Sequence, residues 1–348
     1  MRLFREVAAL LAAGEDIVIA TLFDKTGSAP RTAGAKMVVR ADGRILGTIG
    51  GGCLEAETIA EAKKLLKARQ SAIRTFELTG NETSAADMVC GGAGEILINF
   101  VEANASNRRI YEEAAATLSG RRRAWLITSL GRGEPRFSGW QCLVKHDHSL
   151  VGDFPGAPDS LAKLLAGPAK LSIHAEVLEG QRFLVEPLRP PATVYIFGAG
   201  HVSQQIVPLC ELVGFRTVVI DDRPEYATPA RFTPRTEVLR IESFSKLPPL
   251  PIDSDSYLVI VTKGHLHDKT VLEQVLGTSA AYIGMIGSRR KRESIFAALL
   301  NQGFTADVLR RVHSPIGIDI LAETPEEIAV SIVSELIRVR AERSSAQN

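Results

Sequence analysis

Residues 194–205, VYIFGAGHVSQQ, restrict the fold more than any other stretch: an apolar run stops at Gly198, Gly200 follows, and a helix-forming segment begins at once. An unbroken apolar run of this kind, bounded by glycine, reads as a strand covered on both faces. Glycines at such a strand-to-helix turn let backbone amides approach a phosphate, and the helix dipole favours its negative charge. The alternation continues, with strands expected over 217–221, 257–262 and 281–286 and helices running through Cys210, near 270–276 and after Ser288. Strands and helices taking turns specify a parallel sheet wound on both faces, so residues 194–343 read as an α/β, Rossmann-like domain. Its last helix is marked by Thr324 as cap, Pro325 in the first turn and Glu327 as the capping-box partner.

Within that domain the expected nucleotide site comprises Gly198, Gly200, His201 and Ser203, with Asp221 and Asp222 at the next strand end, where an acidic group holds a ribose hydroxyl. Ser203 stands where the dinucleotide fingerprint has Gly or Ala, which predicts helix and strand packed slightly apart. The turn binds NAD(P), another nucleotide, or nothing, because a fold does not dictate its ligand. Two more loops reach the same end of the sheet. In VTKGHLHD, residues 261–268, His265, His267 and Asp268 form a weak metal-ligand pattern set against a solvated polar cluster. In GSRRKR, residues 287–292, Ser288 and Arg289 open a basic helix that is either an exposed face or an anion site.

Upstream the pattern changes. Leu3, Val7, Leu10 and Leu11 mark a helix stopped by Gly14, residues 17–23 read as a buried strand, and 36–40 and 44–49 flank an Asp42-Gly43 hairpin turn. A helix over 57–68 and strands over 72–78 and 95–101 complete a mixed α+β region. Residues 103–186 are less marked, with strands at 125–129 and 183–186, and extend that domain to 1–186 around a core of 1–102. Prolines 187, 190 and 191 place a linker over 187–193, and 344–348 reads as a tail. Two domains suit a chain of 348 residues.

The densest concentration of unusual backbone is residues 27–55, where seven glycines include the run Gly50, Gly51 and Gly52 that ends on Cys53 before a helix. A thiolate there is favoured by the helix dipole and suits a soft-metal ligand, a nucleophile or a sulfur carrier. A second loop repeats the association at Cys90, Gly91 and Gly92. With Arg31 and Lys36 as nearby cations, these loops form an expected anion cradle holding two sulfurs. Cys142 and Cys210 read as buried small hydrophobes, and four cysteines without C-x-x-C spacing exclude a disulfide scaffold.

A net charge of +1 removes the global attraction to nucleic acid or an anionic membrane, and no apolar run is long enough to span a bilayer. The expected location is cytoplasmic.

Taken with their order, the phrases GSAPRTAGAKMVV, GTIGGGCLE, MVCGG, IFGAGHV, YIGMIGSRRKR and HSPIGIDILAETPEEIAVSIVSELI resemble the XdhC/CoxI family of xanthine dehydrogenase accessory proteins. The resemblance implies an accessory domain followed by a Rossmann domain. It also implies a protein that binds the molybdenum cofactor (molybdopterin) as cargo, shields it during sulfuration and delivers it to a molybdenum hydroxylase of the xanthine dehydrogenase type. On that implication Cys53 or Cys90 touches molybdenum or holds the sulfur in transfer, and Arg31 or Lys36 neutralises the cargo phosphate. A cysteine desulfurase and a second copy of the chain are the further partners expected. The chain then reads as a cofactor-maturation chaperone rather than an independent enzyme. The alternative is an NAD(P)-dependent oxidoreductase acting on a small molecule, although the second domain shows no Tyr-x-x-x-Lys or similar acid/base pair.

Overall fold

The computed structural model describes residues 2–27, 33–77, 92–165 and 172–345, and it divides near Pro190 into two compact units. Arg31, Cys90 and Gly91 lie outside the described residues.

The first unit opens with α1 (Arg2–Ala12) and β1 (Ile17–Gly27), then the hairpin β2 (Lys36–Arg40) and β3 (Ile45–Gly47), α2 (Gly52–Ala68), β4 (Ala72–Glu77) and β5 (Gly92–Val101). These strands form an antiparallel sheet in the order β3-β2-β1-β5-β4. β1 reads as a continuous apolar run because both its faces are buried: Val18, Ala20 and Leu22 meet α2, while Ile17 and Ile19 turn to the other side. Met37 and Val39 on β2 and Ile96 and Ile98 on β5 join the α2 side by the same alternation.

The weakly marked stretch from 103 onward holds a second five-stranded sheet. It contains α3 (Ala105–Ser119), β6 (Ala124–Ser129), β7 (Gln141–Lys145), β8 (Leu150–Val151), α4 (Pro158–Leu165), β9 (His174–Leu178) and β10 (Gln181–Leu188), in the strand order β8-β7-β6-β10-β9. Phe23 and Leu97 of the first sheet and Leu184 of the second share one apolar cluster, so the sheets face each other. A bridge between Ser71 and Phe137, with hydrogen bonds of 2.8 and 2.9 Å, stitches them at one seam. Pro187 lies inside β10, opposite Trp125 of β6, rather than in a linker. β9 accompanies β10 only as far as Val185, so Pro187 sits on a one-sided ladder where its missing N–H removes little.

The second unit is a six-stranded parallel sheet in the order β13-β12-β11-β14-β15-β16. Its elements are β11 (Thr193–Phe197), α5 (His201–Leu212), β12 (Arg216–Asp221), β13 (Glu237–Arg240), β14 (Ser256–Ile260), α6 (His265–Val275), β15 (Tyr282–Met285), α7 (Arg289–Asn301), α8 (Ala306–Leu309), β16 (Val312–His313) and α9 (Pro325–Ser345). One face packs on α6, α7 and α8, the other on α5 and α9. The strand order reverses at β11, which places a crevice at the carboxyl ends of β11 and β14. The capping box of α9 forms as its sequence predicts: the Glu327 amide donates to Thr324 Oγ1 at 3.2 Å and the Thr324 amide to Glu327 Oε2 at 3.1 Å. Deeper in α9, buried Glu335 accepts from Tyr282 Oη at 2.6 Å, the Gly317 amide at 2.8 Å and His313 Nδ1 at 3.0 Å, tying the helix to the sheet edge.

Candidate functional site

In the first unit the glycine run is folded around a carboxylate. Gly50, Gly51 and Gly52 have φ of 145°, 84° and 63°, a left-handed path that side chains disfavour. Inside it, Glu55 Oε1 accepts from Thr48 Oγ1, from the Ile49 amide at 3.0 Å and from the Gly50 amide at 3.3 Å. The Thr48 hydroxyl, with the Gly51, Ile49 and Gly50 amides, holds the Glu55 carboxyl below its ordinary value against the opposing effect of burial. The turn thus carries its own anion, and those amides are not free to cradle a phosphate. Motif spacing does not single out Glu55, yet it has a legible signal: an acid in the first helical turn, directly after a glycine run.

Cys53 lies in that first turn of α2 and is exposed, with open space above Gly51. Cys142 and Cys210 are buried, and burial pushes both thiols up to about 12. Lys36 is not available to a ligand phosphate: its ammonium is 2.8 Å from Glu186 and 2.9 Å from Thr21 Oγ1, in the interior between the two sheets. Gly92 opens β5, paired with Gly27.

In the second unit Gly198 is obligatory. A Cβ there would lie 2.4 Å from the Val261 carbonyl oxygen, because the turn after β11 presses against the end of β14. Gly200 caps α5 without a side-chain bond, has open space where a Cβ would be, and leaves His201 exposed at the first helical position. Ser203 is fully buried and its hydroxyl donates to the Gly198 carbonyl, so the departure from the fingerprint fastens the turn.

Asp221 is also committed. Its carboxylate accepts from the Ala199 amide at 2.6 Å and from Arg223 through the amide, Nε and Nη2 at 2.9, 2.9 and 2.7 Å. Burial works to raise this carboxyl, but Arg223 and the two amides outweigh it and hold it below the ordinary value. The expectation that Asp221 holds a ribose is therefore corrected: it supports the glycine turn, and partly exposed Asp222 is the acid left at that strand end. Arg223 and Arg231 both lie over the Tyr226 ring, 3.8 and 4.8 Å from its centroid, a feature that sequence spacing does not reveal.

The metal pattern at 265–268 is also corrected. These residues form the first turn of α6 rather than a loop, and positions two apart on a helix do not share a face. His267 lies against Phe244, at 5.7 Å between rings, and the His265 side chain lies outside the described set. Asp268 is fully buried, accepting from Thr262 Oγ1 at 2.6 Å and paired with Lys291, whose ammonium also donates to the Ile286 carbonyl at 3.1 Å. Among the described residues no group of three His, Cys, Asp or Glu is placed to hold a metal ion. Ser288 serves as the cap of α7, accepting from the Lys291 amide at 3.2 Å, and Arg289 beside it is exposed. Among the described residues no helix is long and apolar enough to cross a membrane.

Comparison with known proteins places these features in context. The family profile "XdhC Rossmann domain" matches residues 194–336, and that of the "XdhC and CoxI family" matches residues 10–77. The chain is 27% identical over 341 residues to the uncharacterized protein YqeB of Escherichia coli, covering 98% of this chain but only 46% of that protein. It is 27% identical to a Bacillus subtilis protein named as a probable xanthine dehydrogenase subunit, covering 95% of this chain and 96% of that one. Identity is 22% to the molybdenum cofactor insertion chaperone PaoD of Escherichia coli, over 95% of this chain and 85% of that one. A crystal structure described as a xanthine dehydrogenase from Bacillus halodurans superposes with a TM-score of 0.79 over 98% of this chain and 96% of its own, at 24% identity, which establishes a shared fold.

Proposed function

This chain belongs to the XdhC/CoxI family, and from that premise we propose that it is an accessory protein of molybdenum-cofactor maturation. It binds the cofactor as cargo, protects it while the terminal sulfur is installed, and delivers it to a molybdenum hydroxylase of the xanthine dehydrogenase type. Two relatives support this reading, one named as a molybdenum cofactor insertion chaperone and the other as part of a xanthine dehydrogenase. A cysteine desulfurase as sulfur source and a two-fold assembly belong to the same proposal.

The observation that carries it is the exposed Cys53 at the start of α2. A cysteine sulfur is a competent ligand for the cargo's thiolate-ligated molybdenum and is also able to hold a sulfur in transfer. Because Glu55 fills the turn from within, the loop presents the thiol and leaves the cargo phosphate to be held elsewhere. Taken by itself, the second unit has anion-binding chemistry of its own at the uncapped start of α5 and at the exposed Arg289. The oxidoreductase alternative loses its best acid, since Asp221 is buried and saturated.

Activation of a cofactor-free hydroxylase tests the proposal. Full-length protein loaded with cofactor is expected to raise client turnover well above free cofactor, and Cys53→Ser to lose most of that gain. Equal activation with and without the protein would remove the delivery role.

A further inference from the structure

The layer formed by α5 and α9 buries one face of each helix against the parallel sheet and leaves the opposite face uncovered. The two helices lie side by side and point the same way, since Arg340, late in α9, donates to the Val213 carbonyl at the end of α5 at 3.0 Å. On α5 the outward stripe ends in Pro208 and Leu212, the latter 81% exposed. On α9 it comprises Glu327, Val330, Ser334, Ile337 and Ala341, whose alternating steps of three and four are those of a helix-pairing seam. The loop before α9 is fastened along it, with the Ile318 amide on the Ser331 carbonyl at 3.2 Å and Ser331 Oγ on the Ile318 carbonyl at 2.6 Å. That loop holds Ile320 and Leu321 outward, Leu321 being 87% exposed. Leu212, Ile320, Leu321, Val330 and Ile337 are half of the large apolar side chains exposed among the described residues. Single exposed apolar residues need no explanation, but this concentration on one layer marks a contact surface.

Charge is sorted along the same face. Residues 319–331 carry Asp319, Glu323, Glu326 and Glu327 and no lysine or arginine, whereas residues 337–343 carry three arginines against Glu342 alone. Arg340 and Arg343 reach back to the carbonyls of Val213 and Ser254, while Arg338 keeps half of its side chain exposed beside its 3.0 Å bond to Glu335. One end of the stripe is therefore acidic and the other cationic. A copy of the helix reversed about Ser334, the midpoint, meets unlike charge at both ends and apolar side chains between them. The face is complementary to itself, which is the requirement for an isologous two-fold contact.

We propose that two copies of this chain pair through the α5 and α9 face, α9 lying antiparallel on α9 with the two-fold axis at Ser334. The small side chain on the axis lets the helices approach closely. Val330 packs on Ile337 of the second copy and Glu327 faces Arg338 of the second copy, and symmetry supplies each contact twice. The end of α9 flanked by Leu212 receives the second copy's Ile320 and Leu321. α9 has 21 residues and runs about 32 Å. With α5 one interhelical spacing away, each copy contributes roughly 500 Å² and the pair about 1,000 Å², the lower bound of a specific interface, so the dimer is of micromolar strength. This gives the two-fold assembly of the proposed function a defined face and register. It is measured on protein without cargo, so a failed dimer leaves the delivery role standing and a failed delivery role leaves this face standing.

Sedimentation equilibrium of the full-length protein from about 1 to 100 μM is expected to show a monomer–dimer equilibrium. Ile337→Glu sets an acid against Glu326 and Glu327 of the second copy and should weaken the dimer ten-fold or more. Ile337→Arg loses the same apolar contact but meets those acids favourably, so it should weaken the dimer clearly less. The Ile337 side chain is exposed, and circular dichroism and urea midpoints of both variants should match wild type. Register is read by Ser334→Cys in a Cys53→Ser background, which should oxidise to a covalent dimer while the background protein does not. A monomer throughout the range, wild-type association of Ile337→Glu, equal losses for Ile337→Arg and Ile337→Glu, or no cross-link dependent on position 334 would overturn the assignment.

Discussion

Asp221 Oδ2 accepts the Ala199 amide at 2.6 Å, so the acid at the end of β12 is the post on which the glycine turn hangs. Replacing it with Asn leaves Arg223 facing a neutral group and is expected to destabilise the second unit by roughly 2–4 kcal/mol. The folded carboxyl lies below its unfolded value, so its contribution is present above about pH 4 and fades as the pH falls through the folded value. Urea unfolding of wild type and Asp221→Asn at neutral and acid pH checks this: the gap should narrow on acidification. A constant gap would assign the effect to shape rather than charge.

Glu335 supplies a second acid-sensitive link. Burial raises its carboxyl, yet the bonds from His313, Tyr282 and the Gly317 amide outweigh that and bring it down to about 2. Against an unfolded value near 4.3, this amounts to roughly 3 kcal/mol, fully present above about pH 4.5 and lost as the pH approaches 2. Glu335→Gln should therefore unfold at lower urea than wild type at pH 7, with the difference disappearing by about pH 2. Far-ultraviolet circular dichroism reads the transition.

Thiol accessibility separates the cysteines. In the native protein Cys53 should react with iodoacetamide within minutes, while Cys142 and Cys210 stay protected until denaturant is added. Peptide mass spectrometry after timed labelling gives the order, and native labelling of Cys142 or Cys210 ahead of Cys53 would contradict the described burial.

Glu55→Ala should release the turn it fills. The Ile49 amide then loses its acceptor, and its hydrogen exchange should quicken at least ten-fold, while the Gly50 amide keeps Thr48 Oγ1 at 3.2 Å and should change less. Cofactor retention should fall along with it, because the position of Cys53 depends on the same turn. Glu55→Gln, which keeps an acceptor oxygen, should lie between the two.

Much of this arrangement is written locally. The glycine turn at Gly198, the capping box of Thr324 and Glu327 and the Asp42-Gly43 hairpin depend on neighbours a few residues apart, so their types alone announce them. The second sheet of the first unit is harder to read, since β7, β8 and β9 are short and their burial comes from partners distant in sequence. The roles of charged residues are the least legible. Lys36 finds Glu186, Asp268 finds Lys291 and Asp221 finds Arg223, and only the last pair is close enough in sequence to suggest itself. A cation near a glycine loop thus looks identical on paper whether it meets a ligand or a buried carboxylate.

The central claim is that the chain carries the molybdenum cofactor with Cys53 in contact with it. Molybdenum and pterin analysis of full-length protein, purified from a host that makes the cofactor, measures this directly. The account predicts both components together in wild type and a several-fold drop in both for Cys53→Ser at unchanged fold. Wild type devoid of molybdenum and pterin, from cells whose cofactor pathway is active, would contradict it.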